Sequence, residues 1–190
     1  METGSFSIRY RLLGFLPLML FGARLIELTS HAQTAHILWI CHISSLVIAL
    51  GLFFDRVELI RVSVLWLIIG APLWPVEIMR TGIIELTSIG THYVGLLVGL
   101  LVVRRFGMGK YSWVYALIWF LFLQQATRLV APAEFNINLS QTAYPGWEKA
   151  FSSYWQYWLF ITICSAAGLW AISNALSRLF GKTFVPNKGA

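Results

Sequence analysis

Cys41 and His92 are two side chains whose chemistry could combine into a nucleophile and its base. Each lies in or beside a long apolar segment, Cys41 within HILWICHISSL and His92 within SIGTHYVGLLVGLL. An imidazole beside a thiol can accept its proton and leave a thiolate that attacks an ester carbonyl. Because a thiol in apolar surroundings is usually protonated and inert, packing for Cys41 and an interfacial position for His92 remain the alternative.

Other polar side chains in the segment around Cys41 are alternative candidates for a reactive residue. His42 lies about 100° around a helix from Cys41, so one of the two is expected to face away from any one pocket. Ser44 and Ser45 are rival nucleophiles, although serines in apolar helices more often pack and bond back to the main chain.

Polar residues near the end of the fifth apolar segment are candidates for contacts with a substrate. Polar groups buried in a membrane helix are costly and usually face a cavity or a partner. Arg128 suits a phosphate or carboxylate through a forked contact, and an arginine there can equally reach the interface. Amide side chains nearby would stabilise an oxyanion. The predicted substrate-binding residues are Gln124, Gln125, Arg128, Asn136 and Asn138.

The composition indicates that these residues are carried by a membrane protein. Of 190 residues, 58% are hydrophobic and 12% are charged, and the mean hydropathy is +0.71. A soluble domain of this size needs more surface charge. The net charge of +6 comes mainly from short loops, where positive residues orient helices, so nucleic acid is not an expected partner. The two cysteines, Cys41 and Cys164, do not form a disulfide framework.

The apolar segments predict an all-α polytopic membrane protein, a bundle of six transmembrane helices that forms a single domain over residues 1–190. Pro72 and Pro75 are expected to break the second half of the third helix. The six predicted helices cover about 12–26, 36–54, 59–78, 91–103, 112–130 and 154–180.

Positive residues are distributed unevenly between alternate loops. The amino terminus, the second and fourth loops and the tail carry ten Lys or Arg residues, and the other loops carry four. Both termini are therefore expected to be cytoplasmic. Cys41 lies roughly 7–8 Å into the second span, and His92 lies at the outer end of the fourth. The two are predicted at similar depth on the outward side.

The pentapeptide Ile-Glu-Leu-Thr-Ser occurs twice, at 26–30 in the first loop and at 84–88 in the third. Each copy is followed by a Thr and a His. Ser, Thr and Glu satisfy free backbone amides at helix ends, so both copies are predicted to be capping turns. A shared catalytic role is the alternative.

Several segments together resemble the YwaF-type bacterial integral membrane proteins. The similarity is carried by LWICHISSLVIALGLF, VLWLIIGAPLW and a Ser-x-x-Thr-His-Tyr stretch that opens an apolar helix. This family is similar to mammalian multi-pass phospholipid acyltransferases and, more remotely, to fatty-ester hydrolases. The resemblance implies six helices, with a Cys in an early helix paired to a His that opens a later one, here Cys41 and His92. The Asn-Tyr-Met stretch of the family resembles residues 135–138, and its entry to the last helix resembles residues 154–157.

The leading hypothesis is a membrane-embedded lipid acyltransferase or ester hydrolase in which Cys41 attacks an acyl ester and His92 moves the proton. It requires no cofactor and no metal. Membrane lipids are the expected partners, association into a homo-oligomer stays open, and the expected location is the bacterial inner membrane, crossed several times.

Two alternatives belong to other classes of function. His42 and His92, with His31 and His36 close by, would make a haem- or metal-binding membrane protein. A non-catalytic transporter or assembly component is the second alternative, because a proline-broken third helix is typical of discontinuous transport helices.

Overall fold

The computed structural model describes residues 6–82 and 85–181, and within these residues it contains helices and turns but no strand. Short 3-10 turns at Thr34–Leu38, Ala133–Phe135 and Ile137–Leu139 and a π-helical turn at Gly90–Val94 connect the helices. The α-helices are α1 (Ile8–Leu13), α2 (Phe15–Ser30), α3 (Ile40–Phe53), α4 (Val57–Thr81), α5 (Leu86–Ile89), α6 (Gly95–Phe106), α7 (Ser112–Val130) and α8 (Tyr154–Phe180).

Five helical segments are long and apolar enough to cross a membrane: Ile8–Ser30, Val57–Arg80, Leu86–Phe106, Ser112–Val130 and Tyr154–Phe180. The predicted spans at 112–130 and 154–180 coincide with α7 and α8. The predicted second span is different, because α3 has 14 residues and is about 21 Å long. This is less than the ~30 Å of a hydrocarbon core. The protein is helical and suited to crossing a membrane several times.

Helix α4 lies at the centre of the bundle, and α8 lies at its edge. Half of the most apolar stretch of α4 is buried inside the protein, against 17% for α8. Ile60, Val64 and Leu67 of α4 have no exposed surface. The apolar side chains of α8 that no other helix covers therefore suit contact with lipid.

The prediction that Pro72 and Pro75 break this helix is wrong, since α4 is continuous through both. Pro75 has no N–H, which leaves the carbonyl of Ala71 without its partner four residues along the helix. The hydroxyl of Tyr93 donates to that carbonyl over 3.0 Å. Helices in apolar surroundings tolerate proline where a neighbouring side chain satisfies the freed group, and Tyr93 does so here.

Alternate loops meet at opposite ends of the bundle. At one end, the backbone N–H of Phe6 donates to Asp55 over 2.8 Å, and Asp55 also pairs with Arg11. At the same end, Arg61 donates to the carbonyls of Phe106 and Gly107, each over 2.8 Å. The segment before α1, the α3–α4 loop and the α6–α7 loop are thus held together.

The other end, called the site end below, joins the remaining loops. Tyr144 of the α7–α8 loop donates to Glu77 over 3.1 Å, and the backbone N–H of Ile40 donates to Asn138 over 2.9 Å. Arg24 of α2 reaches Glu85 over 2.5 Å. This grouping of loops matches the alternation on which the predicted orientation depends.

Candidate active site

Cys41 and His92 face the same small space beside Gly70 of α4. A Cβ atom built on Gly70 would overlap the Sγ of Cys41 and lie 3.7 Å from Cδ2 of His92. Cys41 is the second residue of α3, and His92 lies in the π-helical turn. Gly70 therefore provides the room that both side chains occupy, and any other residue there would displace the thiol.

The hydrogen bond of His92 determines which of its ring nitrogens is free. Nδ1 lies 2.8 Å from the carbonyl of Ser88, and because a carbonyl only accepts, Nδ1 must carry the proton in this bond. The neutral ring then has its lone pair on Nε2, which is bonded to Cδ2 on the edge facing Gly70. This is the arrangement that a proton acceptor for Cys41 requires.

The π-helical turn that carries His92 is fixed by two neighbouring helices. Ser45 of α3 donates to the carbonyl of Thr91 over 2.7 Å. On the other side, Tyr93 donates to Ala71 of α4. Single π-helical turns often occur at functional sites, where they change the direction of a side chain. The sequence identified His92 but not this turn.

His42, which follows Cys41 in the sequence, packs against His92. The rings of His42 and His92 pack edge to face with their centroids 5.8 Å apart. Nδ1 of His42 donates to the carbonyl of His36 over 3.0 Å, so its Nε2 also carries the lone pair. Trp74 forms a further wall, with its ring centroid 6.0 Å from that of His92.

The first turn of α3, which carries Cys41, includes two backbone N–H groups that have no acceptor within the helix. A helix supplies no acceptor for its first four N–H groups. Here the N–H of Trp39 donates to His36 and that of Ile40 donates to Asn138. The remaining two belong to Cys41 and His42. Their position at the amino end of α3 also favours negative charge at that point.

Two predicted substrate-binding residues, Gln124 and Asn138, are buried and bonded within the protein. Gln124 donates to the carbonyls of Asn138 and Leu139 over 3.1 and 3.3 Å and accepts from the indole of Trp158 over 2.7 Å. Asn138 accepts from Ile40 and donates to the carbonyl of Leu38, each over 2.9 Å. In this structure they connect α7, α8 and the loop between them to the start of α3.

The other three predicted substrate-binding residues lie further toward the surface. Asn136 bonds to the backbone of Gln141 and Thr142 in its own loop. Arg128 donates to the carbonyl of Ser140 over 3.0 Å, and its guanidinium stacks on Tyr154 and Trp155. Gln125 is exposed on α7.

The two copies of Ile-Glu-Leu-Thr-Ser meet at a buried arginine that the sequence did not single out. Arg24 has a side chain only 5% exposed and pairs with Glu27 of the first copy and Glu85 of the second. Thr87 of the second copy donates to Glu27. Neither glutamate makes a capping hydrogen bond. The copies therefore join α2 to the segment that leads to His92. Ile84, the first residue of the second copy, lies outside the described residues.

His36 lies just outside α3 and is neutral in this environment. Burial is the main reason that its pKa is lowered, and the charge of Arg24 lowers it further. Its Nδ1 accepts from the indole of Trp39 over 3.4 Å, which requires that nitrogen to be unprotonated. The ring also contacts that of Phe135, with centroids 4.6 Å apart.

Within residues 6–82 and 85–181, no three His, Cys, Asp or Glu side chains are grouped as metal ligands. A haem held by His42 and His92 would have to separate two rings that pack edge to face. His31 is exposed at the end of α2.

Comparison of the chain with family models, curated proteins and solved structures finds no match.

Proposed function

We propose that this protein is a membrane-embedded acyltransferase or ester hydrolase that uses Cys41 as nucleophile and His92 as base. The observation that carries the proposal is the shared space at Gly70, bordered by the sulfur of Cys41 and the Cδ2 edge of His92. A nucleophile and base on different helices, with the base oriented by a third group, is the general pattern of covalent acyl transfer. The carbonyl of Ser88 is that third group.

The reaction proceeds in two halves. Nε2 of His92 takes the thiol proton of Cys41, and the thiolate adds to the carbonyl carbon of an acyl ester. The tetrahedral intermediate collapses, the alcohol leaves with the proton from His92, and the acyl group remains on Cys41 as a thioester. His92 then takes a proton from water or a second alcohol, whose oxygen displaces the sulfur. The acid or new ester leaves, and the proton returns to Cys41.

The backbone N–H groups of Cys41 and His42 are the donors that we assign to the oxyanion of the tetrahedral intermediate. They belong to the first turn of α3, where the helix provides no acceptor for them. Fixed donors aimed at a developing oxyanion usually make the largest single contribution to such reactions. The side-chain amides of Gln124 and Asn138 are less suitable donors for the oxyanion, because both already donate to backbone carbonyls.

The substrate class that we propose is the acyl lipid of the surrounding membrane. A site between apolar helices favours substrates that enter laterally from the bilayer, and the resemblance to YwaF-type proteins points in the same direction. In the proposed topology α3 is the second of six spans, both termini are cytoplasmic, and the site end lies in the outer half of the membrane. The 3-10 turns before α3 and after α7 cover its buried start, where Ile37 and Ile137 are both buried.

Turnover of acyl lipids by the purified protein in phospholipid vesicles tests the proposal. Cys41→Ala should abolish turnover, and His92→Asn should reduce it by roughly 10²–10⁴-fold, the usual contribution of a general base. Cys164→Ala is the matched control, since that cysteine is exposed on α8 and should leave turnover unchanged. Full turnover by Cys41→Ala would remove the proposed mechanism.

One alternative retains a specific observation in its favour. Nε2 of both His42 and His92 carries a free lone pair and the rings are neighbours, so both nitrogens are available to an added metal ion, whereas a haem would first have to separate the rings. The absorption spectrum and metal content of the purified protein test this alternative. A transporter role loses its original support, because α4 is not broken at its prolines.

A further inference from the structure

The start of α3 needs polar partners that the helix itself does not provide. Trp39 occupies the N-cap position, and no side chain of its own segment caps the helix. Water normally satisfies such groups at a surface, but Ile37 and Ile40 on either side are buried. An unpaired N–H or carbonyl is costly in such surroundings. Whatever satisfies them also determines how the first turn of α3, including Cys41, is oriented.

The side chain of Asn138 satisfies both groups from a distant loop. Its Oδ1 accepts from the N–H of Ile40 and its Nδ2 donates to the carbonyl of Leu38, both over 2.9 Å. Only 2% of the residue is exposed. Asn138 thus supplies, from about one hundred residues later in the chain, the capping hydrogen bonds that the N-cap residue Trp39 does not make.

The backbone around Asn138 is held in an uncommon conformation for this purpose. Asn138 and Leu139 have φ values of 54° and 56°, in the left-handed region that non-glycine residues rarely adopt. The side chain of Gln124 donates to both of their carbonyls, and Trp158 fixes Gln124 in turn. Strained backbone of this kind persists where the surroundings over-determine it, often beside functional sites.

We propose that Asn138 is a positioning residue that keeps Cys41 reactive. By taking the N–H of Ile40, it fixes the turn that holds Sγ beside Gly70 and His92. Through Gln124 and Trp158, the same residue couples the position of Cys41 to α7 and α8. The catalytic consequence rests on the proposed function, but the effect on the reactivity of the thiol does not.

Asn136 offers a matched control in the same loop. It also has a left-handed backbone, with φ 42°, and its side chain makes three hydrogen bonds where that of Asn138 makes two. Those bonds go to Gln141 and Thr142 and not to α3. Glycine suits positive φ, so Asn138→Gly and Asn136→Gly both remove side-chain hydrogen bonds without adding backbone strain.

The experiment measures the alkylation rate of Cys41 by N-ethylmaleimide between pH 6 and 10, with Cys164→Ala as the parent protein. We expect Asn138→Gly to move the pH of half-maximal rate upward and to lower kcat by roughly tenfold or more, as small misplacements of reacting groups do. Asn136→Gly should have the same pH of half-maximal alkylation rate as the parent, because its side chain makes no bond to α3. His42 and His92 are the titratable neighbours that set this pH dependence. The melting temperature of each variant is also measured, to exclude unfolding as the cause of a change in rate.

The outcomes separate the two proposals. A Cys41 that does not react in the parent, or a pH of half-maximal rate that is equal in the two asparagine variants, overturns the positioning role. A shift in Asn138→Gly without any lipid turnover in the parent supports positioning and contradicts the acyl-transfer proposal. Turnover that depends on Cys41 but is unaffected by Asn138→Gly supports the acyl-transfer proposal and contradicts the positioning role.

Discussion

At the scale of single residues, the sequence singled out Cys41 and His92 but not the packing that brings them to one space. Cys41 and His92 could be predicted at similar depth because charge bias and helix length determine depth. The direction of each side chain depends on helix rotation, which no spacing in one chain determines. Gly70 lies in an unremarkable apolar run, so its role beside the pair became visible only from the packing of α4 against α3.

Replacing Gly70 by alanine tests this packing. The new methyl group would overlap the sulfur of Cys41, and overpacking of a tight site costs about 1–3 kcal/mol. We expect Gly70→Ala to lower the free energy of unfolding by that amount and to abolish lipid turnover. Gly168→Ala on α8 is the control, because a Cβ there meets nothing within 4 Å. Equal stability and turnover in the two variants would contradict the proposed close contact.

At the scale of elements, the helices could be predicted better than their connections. The lengths of the apolar segments predicted the bounds of α7 and α8. The prediction that the second span begins at residue 36 was wrong, because residues 34–38 form a 3-10 turn before α3. The prolines of α4 were expected to break it, since the sequence does not reveal that Tyr93 satisfies the freed carbonyl. The Ile-Glu-Leu-Thr-Ser copies were predicted to be capping turns. Their shared partner is Arg24, and the sequence does not reveal that the two copies, about sixty residues apart, meet at this side chain.

A double-mutant cycle on Tyr93 and Pro75 tests the account of α4. Tyr93→Phe should lower the free energy of unfolding by about 1–3 kcal/mol, because it leaves the buried carbonyl of Ala71 unsatisfied. Pro75→Ala restores an N–H within the helix, so Tyr93→Phe should cost much less in that background. Chemical denaturation of the four proteins measures the coupling. Additive effects would show that the two residues do not share this carbonyl.

Arg24 provides a second test at the element scale. Arg24→Met leaves the carboxylates of Glu27 and Glu85 without their common partner and should cost about 2–4 kcal/mol, less than for a fully buried pair because both keep some exposure. It should also weaken turnover by releasing the segment that leads to His92. The control Arg80→Met breaks an exposed pair with Glu77 and should not change stability measurably. The same thermal shift in both variants would contradict a structural role for Arg24.

At the scale of the whole molecule, the helical membrane architecture follows from composition, and the grouping of alternate loops at two ends agrees with the charge bias. The sequence could not show that α3 is short, because its missing length is replaced by turns whose polar groups are satisfied by a loop far along the chain. The proposed orientation places Gln33 outside and Lys110 in the cytoplasm. Both residues are exposed, at opposite ends of the bundle.

Labelling in intact cells tests that orientation. In protein lacking both native cysteines, Gln33→Cys should react with a membrane-impermeant maleimide from outside. Lys110→Cys should react only after the membrane is permeabilised, because the proposed topology places it behind the bilayer. The reverse pattern, or labelling of both in intact cells, would contradict the proposed placement of the site in the outer half of the membrane.

In the proposed reaction Cys41 carries the acyl group, with the help of His92. Mass spectrometry of Cys164→Ala protein quenched with acid during phospholipid turnover tests it most directly. We predict an acyl mass on the peptide that contains Cys41, released by hydroxylamine as a thioester is, and strongly reduced in His92→Asn. Turnover that continues in Cys41→Ala, with no acyl mass on Cys41 in the parent, would contradict the account.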